Sequence, residues 1–199
     1  MGRYVVGVSG ASGIILAYKA VKCLAVLGHD VDLVLSRAAL YTAIEELGPD
    51  WGTPQAFLQG LDAYRDQITL HRIGDPGATI ASGSYPVDGM LVVPCSMATV
   101  AALAMGLSDN LLRRAADVQL KERRRLVIVP RETPLSTIHL ENMLSLSKAG
   151  AVILPPVPAW YSHPQDLGEV EDTVVGRCMD LLGVPSAPYK RWEGVSIGL

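Results

Sequence analysis

Five short runs, apolar at almost every position, constrain this 199-residue chain more than anything else in it. They centre on Val5, Val6 and Val8, then on residues 30–35 (DVDLVL), 89–94 (GMLVVP), 126–129 (LVIV) and 151–154 (AVIL). A strand with one wet face alternates apolar and polar residues, whereas a strand covered on both faces does not. Helical stretches lie between the runs: from the first glycine turn to about 27, residues 38–47, 95–99 opening to about 105, 109–120, Thr133-Pro134 to about 148, and 172–182. Thr133 is expected to cap the fifth of these, with Pro134 at its first position. The alternation predicts an α/β chain with a five-stranded parallel sheet and helices on both faces. Residues 55–88 are less decided, with a helix expected at 55–61 and a Gly/Ser loop at 81–84. There is no internal repeat and no linker, so residues 1–199 are expected to form one domain.

The first turn, Ser9-Gly10-Ala11-Ser12-Gly13, follows a strand and opens a helix. Ser9 or Ser12 can cap that helix. Unpaired N–H groups and the helix dipole at such a turn grip anions. The turn is not G-x-G-x-x-G, has no P-loop lysine and is not G-x-S-x-G. On its own it fits an ordinary strand–helix turn and a phosphate site equally. The second strand ends in Ser36-Arg37, where a dinucleotide fold usually carries an acid for the ribose. That disfavours NAD and leaves an NADP phosphate, a mononucleotide phosphate such as that of FMN, or a plain helix cap for Ser36.

Composition excludes several classes. The net charge of −3 gives no field for nucleic acid or anionic lipid. The basic run Lys121-Glu122-Arg123-Arg124-Arg125 ends a helix, where cations complement the dipole. Cys23, Cys95 and Cys178 are scattered and the four histidines lie far apart, so neither a disulfide scaffold nor a metal site is expected. With no targeting segment or membrane-length apolar run evident, the expected location is a reducing cytoplasm. The chain is 49% hydrophobic but only 6% aromatic, which fits either a large aliphatic core or buried subunit interfaces.

In a parallel sheet all carboxyl ends lie on one edge, where ligands bind. Here those ends read Ser9–Gly13, Ser36-Arg37, Cys95–Thr99, Arg131-Glu132 and Pro155–Tyr161. Hydroxyls and Gly/Ser turns suit phosphate and ribityl groups. Glu132, beside Arg131, is a proton-shuttle candidate; the alternative is a surface ion pair. Arg114 and Lys121, seven residues apart, share one helix face.

The stretches GVSGASG, PCSMATVAALAMGLSDNLLRRAADVQLKERRRLVIVPRETPLSTIHLENM and AGAVILPPVPAWY closely resemble the UbiX family of flavin prenyltransferases over nearly the whole chain. The resemblance implies a flavodoxin-like Rossmann fold and a homododecamer built of trimers, with sites where subunits meet. It implies transfer of a dimethylallyl group from dimethylallyl phosphate to N5 and C6 of reduced FMN, without a metal. The product, prenylated FMN, would serve UbiD-type decarboxylases, in ubiquinone biosynthesis or aromatic-acid breakdown. Matched position by position, Gly10, Ala11 and Ser12, Ser36, Ser96, Met97, Ala98, Thr99 and Arg131 would bind FMN, with Ser12 also catalytic. Arg114, Lys121, Tyr161 and Arg177 would hold the donor phosphate. Glu132 would be the catalytic acid, and Glu46 a second catalytic carboxylate, with adjacent Glu45 the alternative. Ala98 departs from the Lys or Gly of many members. Tyr85 is a candidate aromatic near the prenyl group, and Trp192 fits the family's ending. Rival readings are an FMN-dependent cysteine-type decarboxylase, whose catalytic His and P-x-M-N-x-x-M-W motif are not found, an NADP-dependent reductase, and a non-catalytic FMN carrier.

Overall fold

The computed structural model describes residues 1–185 and 189–194. Its sheet has six parallel strands: β1 (Arg3–Val8), β2 (Asp30–Leu35), β3 (Ile68–His71), β4 (Gly89–Cys95), β5 (Arg125–Pro130) and β6 (Val152–Ile153), in the order β3-β2-β1-β4-β5-β6. Without β3 the order is that of a flavodoxin-like sheet, with its switch point between β1 and β4. The expected five strands are thus joined by a sixth at the edge. Ile68-Thr69-Leu70-His71 was unreadable as a strand because it is short and only Ile68 is buried.

The helices are α1 (Ile14–Val26), α2 (Arg37–Leu47), α3 (Met97–Ala104), α4 (Leu111–Lys121), α5 (Thr137–Ala149) and α6 (Leu167–Leu182). The strands bury side chains on both faces with a period of two. Val6, Val8, Leu33, Leu91, Val93, Val127 and Val129 share one cluster with side chains of α1, α2 and α6. Val5, Val34, Met90, Val92, Leu126 and Ile128 share the other with α3, α4 and α5. This explains why the strands read as uninterrupted apolar runs.

Three local expectations are corrected. The helix expected at 55–61 is only a 3-10 turn, Ala56–Leu58, followed by a second at Asp62–Gln67. α5 starts at Thr137, not at Thr133-Pro134. Its cap is Ser136, whose Oγ accepts from His139 N–H while His139 Nδ1 accepts from Ser136 N–H. α6 begins at Leu167, capped by Asp166, five residues before the expected start. The aliphatic content serves the core but also leaves apolar surface: Ile138, Leu140 and Leu144 of α5 are 68%, 51% and 54% exposed.

Candidate functional site

Helices α2, α3 and α4 all begin at the carboxyl edge of the sheet, and their caps face a single cavity of about 170 Å³. Ser36 Oγ accepts from Ala39 N–H (3.1 Å), Ser96 Oγ from Thr99 N–H (3.3 Å), and Asn110 Oδ1 from Arg113 N–H (3.1 Å). Each cap uses one of the orphan amides at its helix start, and in α4 the Leu111 N–H is also taken, by the Ile73 carbonyl at 2.8 Å. The first turn closes the other side. Ser9 Oγ donates to the Pro94 carbonyl (3.1 Å) and accepts from Ser96 N–H (2.7 Å), tying this turn to the loop after β4. A Cβ built on Gly10 would overlap the Cβ of Ala38, so only glycine lets α2 approach this closely. The expected residues Gly10, Ser36, Ser96, Ala98 and Thr99 all line the cavity. Met97 is buried in the core and can offer only its backbone. Asn110 and Arg113 also line it, and sequence reasoning missed both. Asn110 was legible as the cap before Leu111, but its convergence with Ser36 and Ser96 is tertiary.

A second cavity, of about 540 Å³, is lined by Ser12, Glu46 and Arg131 against an apolar wall that includes Pro156, Pro158 and Val174, and Ala11 lines neither cavity. Here the first-turn expectation is corrected. Neither Ser9 nor Ser12 caps α1; Gly13, in the left-handed region, is its N-cap with no side-chain bond of its own. The anion at this helix start is the chain's own. The Glu46 carboxylate accepts from Gly13 N–H at 2.9 and 3.1 Å and from Ile14 N–H at 2.8 Å. Glu46 and not Glu45 lines this cavity, and the phosphate-sized space lies at α2, α3 and α4 rather than at α1.

Arg131 lines the second cavity, and its N–H donates to the Cys95 carbonyl at 3.2 Å. Arg131 and Glu132 form no ion pair with each other among the described residues; the exposed Glu132 carboxylate accepts instead from Thr133 N–H at 3.1 Å. Burial pushes the Cys95 thiol up to about 12, so it stays protonated at neutral pH and provides no thiolate beside the serine cap.

None of the four residues expected to hold a donor phosphate lines either of these cavities. Arg114 Nε donates to the Ala81 carbonyl (3.0 Å) and Nη1 to Asp117 (2.7 Å). Lys121 pairs with Glu122, whose carboxyl it holds below the usual range, and it stands against Gly83. The shared face expected for Arg114 and Lys121 is therefore present, turned toward residues 81–83. Lys121 lies before β5 and Glu132 after it, so the strand, about 20 Å long at some 3.3 Å per residue, runs between them. Tyr161 packs edge-on against Trp192 (centroids 5.3 Å apart), and Arg177 bonds Asp180 (3.3 Å). The hydroxyl of Tyr85, the expected prenyl-site aromatic, bonds Arg3 at the opposite, amino edge and donates to buried Asp32. In the rest of the basic run, Arg124 donates to the Gly83 and Tyr85 carbonyls and Arg125 to that of Leu182, while Arg123 is exposed. Among the described residues no group of three or more His, Cys, Asp or Glu side chains could hold a metal, and no helix is long and apolar enough to cross a membrane.

Parallel strands, a switch-point crevice and helix starts aimed at one small cavity define a mononucleotide-binding α/β protein, and comparison with known proteins narrows the class. Residues 2–179 match the family model described as Flavoprotein. The chain is 50% identical to the flavin prenyltransferase UbiX of Chlamydia trachomatis, over 97% of this chain and 98% of that one. Among solved structures it resembles AnUbiX (PadA1) in complex with FMN and dimethylallyl pyrophosphate, with a TM-score of 0.88, 44% identity and coverage of 98% and 99%. It also resembles a dodecameric FMN-dependent UbiX-like decarboxylase from Escherichia coli O157:H7, with a TM-score of 0.87, 42% identity and coverage of 96% and 100%. The chain belongs to the UbiX family of flavin prenyltransferases.

Proposed function

We propose that this chain is a flavin prenyltransferase that moves a dimethylallyl group from dimethylallyl phosphate to N5 and C6 of reduced FMN. The carrying observation is the near-full-length identity to flavin prenyltransferases in a chain whose carboxyl edge holds a phosphate-sized cavity beside a larger apolar one. The cavity at the helix starts fits a flavin phosphate in size and donor set, with Ser36, Ser96, Thr99 and the Gly10–Ser12 turn supplying hydrogen bonds. Reduced FMN supplies nucleophilic N5 and C6. Arg131 contacts the flavin, with Ala98 and Met97 contributing backbone. Ser12 and the Glu46 carboxylate, fixed by two N–H donors, handle protons at the cavity they line.

Cleavage of the donor's C–O bond places charge on the departing phosphate, and cations must receive it. Arg114, Lys121, Arg177 and the Tyr161 hydroxyl have that role. Glu132 protonates the leaving phosphate and later accepts the proton lost from C6. The charge is neutralised by side chains alone, without a metal. Because Lys121 and Glu132 lie at opposite sheet edges, a second copy supplies Lys121, and the exposed face of α5 supports self-association. A homododecamer, a cytoplasmic location and a UbiD-type decarboxylase as consumer of the product complete the reading.

The test is anaerobic incubation with reduced FMN and dimethylallyl phosphate, then mass measurement of the extracted flavin. A gain of one prenyl unit is expected. Unmodified, tightly bound FMN, with the diphosphate donor tried as well, would contradict the reading.

A further inference from the structure

Of the residues lining the cavity at the three helix starts, one carries a charge: Arg113. Family resemblance assigns it nothing, and its neighbour Arg114 points elsewhere, to Ala81 and Asp117. Arg113 Nη1 donates to both Asp109 carboxylate oxygens, at 2.8 and 2.9 Å. Among the described residues its Nε and Nη2 make no hydrogen bond, so most of the guanidinium fork is uncommitted. The Arg113 side chain is only 19% exposed, whereas that of Asp109 is 50% exposed, and of the two only the arginine lines the cavity.

The cavity otherwise lacks full charge. Ser36 and Ser96 offer hydroxyls, and the Ser96 hydroxyl already donates to Thr99 Oγ1 at 3.1 Å. Three helix starts contribute partial positive charge of about half a unit each. Arg37, the other nearby cation, is turned to the Tyr41 hydroxyl (2.9 Å) and does not line the cavity. The guanidinium also acts on the cavity wall: burial raises the Cys95 thiol, while the Ser9 hydroxyl and the Arg113 charge oppose that rise.

We propose that Arg113 binds the phosphate of the flavin in this cavity, and that Asp109 holds the guanidinium in place until the phosphate takes it over. The inference rests on the FMN reading above and adds a residue that selects phosphorylated flavin over riboflavin. A planar fork with free N–H groups suits bidentate binding of a phosphate dianion.

The experiment titrates the purified chain with FMN and with riboflavin, which lacks the phosphate, by quenching of flavin fluorescence. R113Q is expected to weaken FMN binding by about tenfold to a hundredfold while changing riboflavin binding by less than about twofold. D109N, which removes the competing carboxylate, is expected to tighten FMN binding and leave riboflavin unchanged. Unaltered FMN affinity in R113Q, or an equal loss for both ligands, would overturn the proposal. Should R113Q not fold, D109N decides: an unchanged ratio of FMN to riboflavin affinity overturns it. A wild-type chain that binds riboflavin and FMN equally would overturn it while leaving flavin binding intact, and one that binds neither would remove the FMN reading as well.

Discussion

At the carboxyl edge of the sheet, α2, α3 and α4 start around one cavity, and Glu46 fills the start of α1. At the amino edge Lys121, Arg124 and Arg125 meet Glu122 or carbonyls of their own chain. The difference follows from topology. With every strand parallel and the covering helices running back against them, helix N-termini gather at one edge and C-termini at the other. The first edge is electropositive through its amides and attracts anions; the second gathers side-chain cations at helix ends. On the proposed reading, one protomer holds the flavin half-site at the first edge and offers Lys121 at the far edge to another copy.

The largest effect that could break this comparison is expected at Glu132. E132Q should slow anaerobic turnover by about 10²–10⁴-fold, the range for a positioned acid–base group, and leave the FMN dissociation constant unchanged. If FMN affinity fell as far as turnover, Glu132 would belong to the flavin half-site. Lys121→Ala should cost about 10²-fold in turnover through the leaving phosphate, again with FMN affinity unchanged in titration. On α5, Ile138→Asp should dissociate the assembly in size-exclusion chromatography without unfolding the chain, because that side chain is exposed in the protomer. Turnover should fall with assembly while the flavin cavity still binds.

Gly10→Val sharpens the other half. It should lower stability by about 1–3 kcal/mol through overpacking against Ala38, measured by thermal melting, and weaken FMN binding. The smallest effect concerns pH. Hydrogen bonding from Arg191, with help from Tyr189, holds the Asp180 carboxyl below its usual range. A depressed folded-state value means stabilisation that is present above the unfolded value near 3.8 and lost as pH falls through the folded one. Melting temperature should therefore drop more steeply below about pH 4 in the wild type than in Arg191→Ala.

Local features of this architecture were readable and distant ones were not. Ser36, Ser96 and the Gly10 turn follow apolar strands directly, so sequence order alone put them on one edge. β3 escaped because Ile68–His71 is short and mostly uncovered, with little apolar pattern. The start of α5 was misplaced because Thr133-Pro134 mimics a cap, while the working cap is the reciprocal pair Ser136 and His139. Glu46 became distinct from Glu45 only once α2 was docked beside α1. Arg113 gave no signal, since its cavity is formed by segments far apart in sequence.

The central claim is that two copies share one catalytic site. The most direct measurement co-expresses Lys121→Ala with E132Q and assays the mixed assembly for prenylated flavin. Each variant alone should be nearly inactive. Random mixing should restore about a quarter of the sites, those combining an intact Lys121 from one copy with an intact Glu132 from another. A mixture as inactive as its parents, with mixed assembly verified, would contradict the account and return both residues to one chain's own site.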